Sequence, residues 1–248
     1  MQDQSREYGQ QNFTLPHDVV IFPSGGKFYK NKKKSVKVGY LTAADENILL
    51  SSTNDLTGAL LRHKIYEPDI KIEDLLEGDV EAILIFLRNT SFGPFITMNV
   101  IDPVTKRSFE TNISLAELDI KQTTNEPNED GTFSTKLPIS GASVKLKLLT
   151  YGEQNQLQKT FEGYPASRPA PRVTLTLQSQ IVEIDGNSDK GEIAKFIEQM
   201  PIADSKYVRK FLQDSEPRLD LTKQVIAPSG EKLTVNVGFG VEFFRPFF

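Results

Sequence analysis

Apolar and polar residues in the first third of the chain alternate in one short stretch and then recur at helical spacing. The alternation over residues 36–40 is typical of a half-buried strand. Helix starts are indicated by Thr42, which two carboxylates follow, and then by Asp55 or Thr57. Apolar residues over 80–87 repeat at the i, i+3, i+4, i+7 spacing of one helix face. The pattern predicts one strand followed by three short helices.

The middle of the chain has the pattern of strand pairs. Phe95–Ile101 and Arg107–Ile113 flank a proline-containing turn at 102–105, which predicts a hairpin. A second strand pair is predicted at Phe133–Pro138 and Ser143–Leu149, and in the latter apolar residues alternate with lysines.

The last third repeats the order of helices followed by a hairpin. Val173–Ile184 is predicted to be extended or amphipathic. Apolar residues over 193–200 mark a helix face that ends at Pro201, and Asp204 or Ser205 begins a second helix. The strands of the final predicted hairpin are Leu219–Ile226 and Lys232–Val237.

These elements predict an α+β fold. Two small helical clusters are each followed by a β-hairpin, and a polar amino-terminal arm is expected to be flexible. Three prolines close together mark a stiff connector. The predicted segments are the arm at 1–14, an α+β domain at 15–122, a β-rich segment at 123–163, the connector at 164–171, and a second α+β domain with a Phe-rich tail at 172–248.

Composition excludes several classes of function. The 248 residues include no cysteine, which excludes disulfides, zinc–thiolate sites, iron–sulfur clusters and thiol catalysis. With only two histidines, a histidine-rich metal site is excluded as well, so we expect no metal and no cofactor. The net charge of −4 provides no general attraction for phosphate backbones, which argues against a dedicated nucleic-acid binder.

The sequence also lacks the signals of membrane insertion and secretion. No apolar run approaches the roughly 20 residues that a membrane-spanning helix needs. The polar amino terminus has no apolar centre of the kind found in signal peptides. We expect no membrane contact and a protein that stays in the compartment where it is made.

Three patterns that can carry chemistry have simpler structural explanations. Gly25-Gly26-Lys27 lacks the spacing of a phosphate-binding loop and is typical of a turn. The acidic residues between Asp45 and Asp79 can act as general acid and base or hold a cation, but they occupy positions of helix caps and solvated helix faces. His17 and His63 have no second histidine or nucleophile motif beside them.

A lysine-rich loop is the first candidate contact surface. Such a loop in a net-negative protein is typical of a solvated turn or of a contact for an acidic partner. Nucleic-acid binding, with Phe28 or Tyr29 stacking on bases, is a weaker alternative. The lysines predicted to bind a partner are Lys27, Lys32, Lys33 and Lys34.

The carboxyl terminus is the second candidate contact surface. Five of the 16 phenylalanines lie in the last ten residues, where full exposure would create an apolar patch that monomers avoid. They either fold back on their own domain or are buried in a neighbouring subunit, where aromatic side chains contribute much of the interface energy. The aromatic residues predicted to bind a partner are Phe13 of the arm and Phe243, Phe244, Phe247 and Phe248 of the tail.

Short motifs along the chain occur in a distinctive order. They include Leu15-Pro16, Pro23-Ser-Gly-Gly-Lys-Phe-Tyr29, Tyr40-Leu-Thr-Ala-Ala-Asp-Glu46, Leu75-Leu-Glu-Gly-Asp79, Leu87-Arg-Asn-Thr-Ser-Phe-Gly93, Phe196-Ile-Glu-Gln-Met-Pro201, Glu216-Pro217 and Val241-Glu-Phe-Phe-Arg-Pro246. In this order the chain, from Leu15 to its end, resembles the baseplate hub and hub-assembly family of T-even-like contractile phage tails.

The resemblance implies a non-enzymatic structural or assembly component of a tail baseplate. Its expected partners are other phage baseplate and tail proteins, and self-association in a ring is left open. It would be a late protein, made in the host cytoplasm and located in the virion. A resident hub subunit and a transient assembly factor absent from the mature particle both fit the resemblance. The rival from another class is a hydrolase that uses Asp and Glu.

The chain is a cysteine-free variant of this family pattern. Many relatives carry two cysteine-bearing, zinc-ribbon-like hairpins, and the corresponding turns here lie at 101–107 and 226–230. Neither turn contains a thiolate, so neither can hold zinc in a tetrahedral sulfur site. We expect each hairpin to be held by its own turns and packing, with added stability from neighbouring subunits.

Overall fold

The computed structural model of the chain describes residues 16–51, 55–165, 167–239 and 243–244. The first half contains two hairpins with three helices between them. Its elements are β1 (His17–Ile21), β2 (Ser35–Gly39), α1 (Ala43–Leu49), α2 (Leu56–Leu61), a 3₁₀ turn (Ile72–Asp74), α3 (Glu77–Phe92), β3 (Phe95–Ile101) and β4 (Ser108–Ser114).

The second half contains a small sheet, four helices and a final hairpin. Its elements are β5 (Phe133–Lys136), β6 (Ser143–Leu146), α4 (Tyr151–Glu162), α5 (Arg172–Gln180), β7 (Ile181–Ile184), α6 (Lys190–Gln199), α7 (Ile202–Ser215), β8 (Thr222–Ile226) and β9 (Lys232–Asn236). The mixture of helices and antiparallel strands confirms the predicted α+β class.

Local sequence sets several of the helix starts. The backbone amide of Thr42 donates to the Asp45 carboxylate at 2.7 Å, and the Asp55 carboxylate accepts from the Gly58 amide at 2.8 Å. These side chains satisfy amides of the first helical turn that have no partner within the helix. The predicted starts of α1 at Thr42 and of α2 at Asp55 are confirmed.

The strands form four small antiparallel sheets in the described parts of the chain. Three are two-stranded hairpins, β1–β2, β3–β4 and β8–β9, and the fourth is three-stranded in the order β5–β6–β7. An isolated hairpin is marginally stable in water, so each of these sheets needs a helix or another sheet to cover one face. The packing of the hairpins therefore determines the cores.

The first core combines early and late segments of the described part of the chain. Helix α3 lies within it, with Ile83 and Leu87 fully buried, and β1, β2, α1, α2 and β4 supply further apolar side chains. The final hairpin contributes Val225 and Val235 to the same core. Residues of the predicted segments 15–122 and 172–248 thus share one apolar cluster, while the segment boundaries themselves stay a prediction.

The second core lies within the middle and later parts of the chain. It combines the inner face of β5–β6–β7 with one face each of α5, α6 and α7. Leu146 and Val208 are fully buried at its centre. Leu76, immediately before α3, also belongs to this cluster, so the start of α3 contacts the second core while its body lies in the first.

Four elements differ from the sequence-based prediction. Helix α7 begins at Ile202, directly after Pro201, and not at Asp204 or Ser205. His17–Ile21 forms a strand that the pattern did not indicate, because only Val20 of the five residues is buried. Residues 151–162, assigned to a β-rich segment, form helix α4, which was missed because the helix has no fully buried residue and therefore little apolar periodicity. Val173–Ile184 divides into helix α5 and strand β7.

Glycine is required where α3 contacts the segment after α7. A Cβ on Gly78 would lie 2.1 Å from the carbonyl oxygen of Pro217 and 2.9 Å from the Cβ of Arg218. Both distances are shorter than van der Waals contact, and one of the atoms belongs to the backbone. Only glycine therefore allows the two segments to approach this closely.

Replacing this glycine tests the contact. We expect Gly78→Ala to lower the free energy of unfolding by about 1–3 kcal/mol, because the added methyl group forces the two segments apart. The control is Gly163→Ala, where a Cβ would meet its nearest atom at 3.5 Å. Urea denaturation of both variants measures the difference, and an equal effect of the two substitutions would contradict the close contact.

Candidate interaction surfaces

The carboxylate of Asp79 joins the start of α3 to the turn between β1 and β2. It accepts hydrogen bonds from the Ser24 amide at 3.0 Å, from the Ser24 hydroxyl at 2.6 Å, and from the Tyr29 hydroxyl. The Tyr29 hydroxyl in turn accepts from the amide of Leu76 at 2.9 Å. We call these four residues the Asp79 cluster. It links the two motifs Pro23–Tyr29 and Leu75–Asp79, which lie some 50 residues apart.

Burial dominates the electrostatics of the Asp79 cluster. Desolvation raises the pKa of Asp79 above its ordinary value, although the hydrogen bonds from Ser24 and Tyr29 oppose this effect. Desolvation and the neighbouring carboxylate also raise the pKa of Tyr29. Tyr29 therefore stays a hydrogen-bond donor at neutral pH, and the cluster is a structural connection between segments.

The Asp79 cluster positions the predicted lysine-rich loop, and most of these lysines contact their own chain. Lys27 forms an ion pair with Glu126 at 2.6 Å, and Lys33 pairs with Glu67 and lies 3.5 Å from Asp69. The ammonium group of Lys32 donates to two backbone carbonyls, those of Lys27 and Glu129. Lys34 is exposed.

The described part of the Phe-rich tail packs on its own chain. Phe243 is 1% exposed and Phe244 is 6% exposed, and both belong to the first core. The ring centroids of Phe243 and Phe244 are 4.9 Å apart, and Phe239 lies 4.8 Å from Phe243. Phe243 and Phe244 therefore fold back on their own chain, which is one of the two alternatives that the sequence left open for the tail. Phe13, Phe247 and Phe248 lie outside the described residues.

Two hairpins meet at their turns. The Asp102 carboxylate, in the β3–β4 turn, accepts from the amide and the hydroxyl of Ser229, in the β8–β9 turn, at 3.0 and 2.9 Å. It also accepts from the amides of Val104 and Thr105 in its own turn. We call this the tip junction. Each hairpin was expected to be held by its own turns and packing, and the structure adds a connection between the hairpins, because Asp102 bonds both turns.

The tip junction favours the charged form of its carboxylate. Desolvation alone would raise the pKa of Asp102, but the amides of Thr105 and Val104 and the two donors of Ser229 outweigh it and lower the pKa to about 2. The carboxylate is therefore ionised at any pH near neutrality. Its negative charge is used within the protein, since four donors point at it.

A cluster of carboxylates surrounds Arg218 next to Gly78. The guanidinium lies 3.2 Å from Glu216, 3.6 Å from Glu81 and 3.8 Å from Glu77. Glu81 is almost fully buried, and one of its carboxylate oxygens has no hydrogen-bond partner. Desolvation, assisted by Glu77 and Glu216 and opposed by Arg218, raises the pKa of Glu81 from 4.5 to about 7.

The other candidate residues from the sequence either contact their own chain or lie at the surface. Asp45 forms a buried ion pair with Lys64, which also donates to the Tyr40 carbonyl. His17 lies against the ring of Tyr66 at 5.7 Å, and His63 is exposed. Among the residues that the structure describes, no group of three or more metal-binding side chains is placed to hold an ion. No described helix is long and apolar enough to cross a membrane.

Sequence reasoning missed the tip junction and the Arg218 carboxylate cluster. Asp102 and Ser229 are 127 residues apart, and Glu81 and Arg218 are similarly distant. Neither pair belongs to a motif of fixed spacing. The single signal in the sequence was the presence of turn residues at both hairpin ends, which predicts the turns but not that they touch.

In all of these clusters, polar groups of the protein connect segments that are distant along its own chain.

A comparison with known protein families matches residues 19–245 to the family of the T4 bacteriophage base plate protein. The match covers most of the chain, and the chain therefore belongs to this family. It is a structural component of a phage tail baseplate. Comparisons with curated proteins and with solved structures gave no match.

The raised pKa of Glu81 predicts a pH-dependent stability. Between pH 4.5 and 7 the unfolded chain releases this proton while the folded chain retains it, so stability falls as pH rises through that range. We expect Glu81→Gln to remove the penalty and to stabilise the protein by about 1–3 kcal/mol at pH 8, with little effect below pH 4.5.

Urea denaturation of the parent and of Glu81→Gln at several pH values measures this effect. The control is Glu110→Gln on the exposed face of β4, which removes one carboxylate without relieving any burial. If Glu81→Gln and Glu110→Gln shift stability equally at pH 8, the destabilising burial of the carboxylate at position 81, which Arg218 offsets only in part, is contradicted.

Proposed function

We propose that this chain is a resident, non-enzymatic subunit of the baseplate hub of a contractile phage tail, and that it acts through protein–protein contacts. The family match over residues 19–245 carries this proposal, because it places the chain among baseplate proteins over nearly its whole length. The hub position and the contractile type of tail follow from the order of sequence motifs and go beyond the family match.

In the proposed mechanism the protein binds its neighbours and catalyses no reaction. The buried carboxylates of Asp45, Asp79 and Asp102 each accept hydrogen bonds or ion pairs from the chain itself, which supports structural roles for them. A hydrolase would need a carboxylate directed at a substrate. The proposed contacts with neighbouring proteins are made by Phe13, Lys27, Lys32, Lys33, Lys34, Phe243, Phe244, Phe247 and Phe248.

The structure divides these proposed contacts into two kinds. Phe243 and Phe244 are buried in the first core, so their contribution to a partner would be to hold the end of the chain in place. Lys27 and Lys33 already form ion pairs, of which Lys27–Glu126 is exposed and Lys33–Glu67 is partly buried, and ion pairs at the protein surface contribute little to the free energy of folding. An acidic neighbour can therefore compete for them.

Quantitative mass spectrometry of purified, mature phage particles tests the proposal. A resident subunit is expected in a fixed ratio to the other baseplate proteins of the same particle. The matched control is the lysate of infected cells, in which a baseplate protein known to be resident is measured in parallel.

Recovery of the chain in the lysate but not in mature particles would contradict residence and would identify a transient assembly factor. If tails are contracted and their baseplates are removed, loss of the chain from the remaining particles would agree with the proposed position in the baseplate hub. Recovery in fractions that lack the baseplate would contradict it.

A further inference from the structure

Three large apolar side chains are exposed at the joined ends of two hairpins. Ile101 is 64% exposed, Val104 is 62% exposed and Ile226 is 68% exposed. Ile101 ends β3, Val104 lies in the following turn, and Ile226 ends β8. The rest of the exposed face of the final hairpin is polar, with Thr222 and Gln224 on β8. On these two hairpins the other exposed large apolar side chain is Phe95, at the opposite end of β3.

The tip junction makes the two hairpin ends a single surface. Ser229 donates to Asp102 from its amide and its hydroxyl, which keeps the β8–β9 turn against the β3–β4 turn. Asp102 directly follows Ile101, and its carboxylate also accepts from the amide of Val104. The three apolar side chains therefore lie on backbone segments that the tip junction keeps together and ordered, which reduces the entropy lost on binding.

Basic side chains border this apolar surface. Lys106, Arg107 and Lys232 lie in or beside the two turns and are exposed. None of them forms an ion pair with a described residue, in contrast to Lys27 and Lys33. The Asp102 carboxylate is used internally, which leaves Glu231 as the acidic residue of the turns that faces solvent.

We propose that this tip surface, formed by Ile101, Val104, Lys106, Arg107, Ile226 and Lys232, docks into an apolar groove edged with carboxylates on a different baseplate protein. The inference rests on the proposed function and names the chemistry of its partner. Apolar contact supplies affinity, while the three unpaired cations select an acidic border and accelerate association.

The charges favour a different protein over a second copy of this chain. A symmetric pairing of two copies through this surface would bring the same basic side chains together, and like charges in an interface repel. The centre of the surface also favours protein over nucleic acid. It presents aliphatic side chains where single-stranded nucleic acid is usually bound by aromatic rings.

Photo-cross-linking of the full-length chain during infection identifies the occupant. A benzophenone amino acid replaces Val104, and the matched control carries it at Ile139, which is 64% exposed in the turn between β5 and β6. We expect position 104 to cross-link to one segment of another baseplate protein that combines apolar residues with Asp or Glu. Position 139 should not yield this product.

Charge reversal then tests the proposed chemistry. The double variant Arg107→Glu with Lys232→Glu is expected to bind the cross-linked protein, purified, at least about tenfold more weakly, with a reduced dependence of affinity on salt. The control, Lys159→Glu with Lys206→Glu, reverses two exposed lysines elsewhere and should bind like the parent. Equal thermal unfolding of all variants shows that folding is preserved.

Several results would overturn the inference. These are a cross-link from position 104 to a second copy of this chain or to nucleic acid, no cross-link beyond that of position 139, or unchanged affinity after charge reversal. Failure of the proposed function is a separate result, because it is measured as absence of the chain from mature particles. A transient factor would still cross-link through its tip surface during infection.

Discussion

The Asp79 carboxylate lies where the two cores meet and connects the segments that form them. Its donor Tyr29 packs against both cores, and Leu76, whose amide donates to Tyr29, belongs to the second core. A buried carboxylate without a cation is costly unless hydrogen bonds replace the lost water. Ser24 and Tyr29 provide these bonds. The arrangement of the β1–β2 turn, the start of α3 and the lysine-rich loop therefore depends on this single group.

The same arrangement recurs elsewhere in the chain. Asp204, at the start of α7, accepts from the amides of Ile139 and Ser140 at 2.8 and 2.9 Å and holds the β5–β6 turn against the helix. Asp102 does the same for the two hairpin ends, and Asp45 pairs with Lys64. In a chain without cysteine, these carboxylates connect distant segments that disulfides could otherwise join. Such connections suit a protein whose surfaces must keep their shape against neighbours in a baseplate.

Local features of the fold were predictable and long-range ones were not. The capping residues Thr42 and Asp55 and the turn at 102–105 act over a few residues, so the sequence predicts the helices and hairpin that they begin or connect. The burial of Phe243 depends on long-range packing in the first core. The sequence therefore left open whether the tail packs on its own chain or on a neighbouring subunit. The tip junction joins turns far apart in the chain, and no spacing rule relates Asp102 to Ser229. Of the four lysines predicted to bind a partner, Lys27 and Lys33 form ion pairs within the chain, and sequence did not single out the basic residues at the hairpin ends.

Hydrogen exchange of the Asp79→Asn variant tests most directly whether the Asp79 cluster holds the two cores together. Asparagine has nearly the same volume as aspartate but only one acceptor oxygen. In the parent protein the donors of Ser24 and Tyr29 use both carboxylate oxygens of Asp79. We predict faster exchange at the amides of Ser24, Gly26 and Leu76, with the protection of β5–β6–β7 retained. Unchanged exchange at these three amides, or an equal loss of protection throughout the chain, would contradict this account.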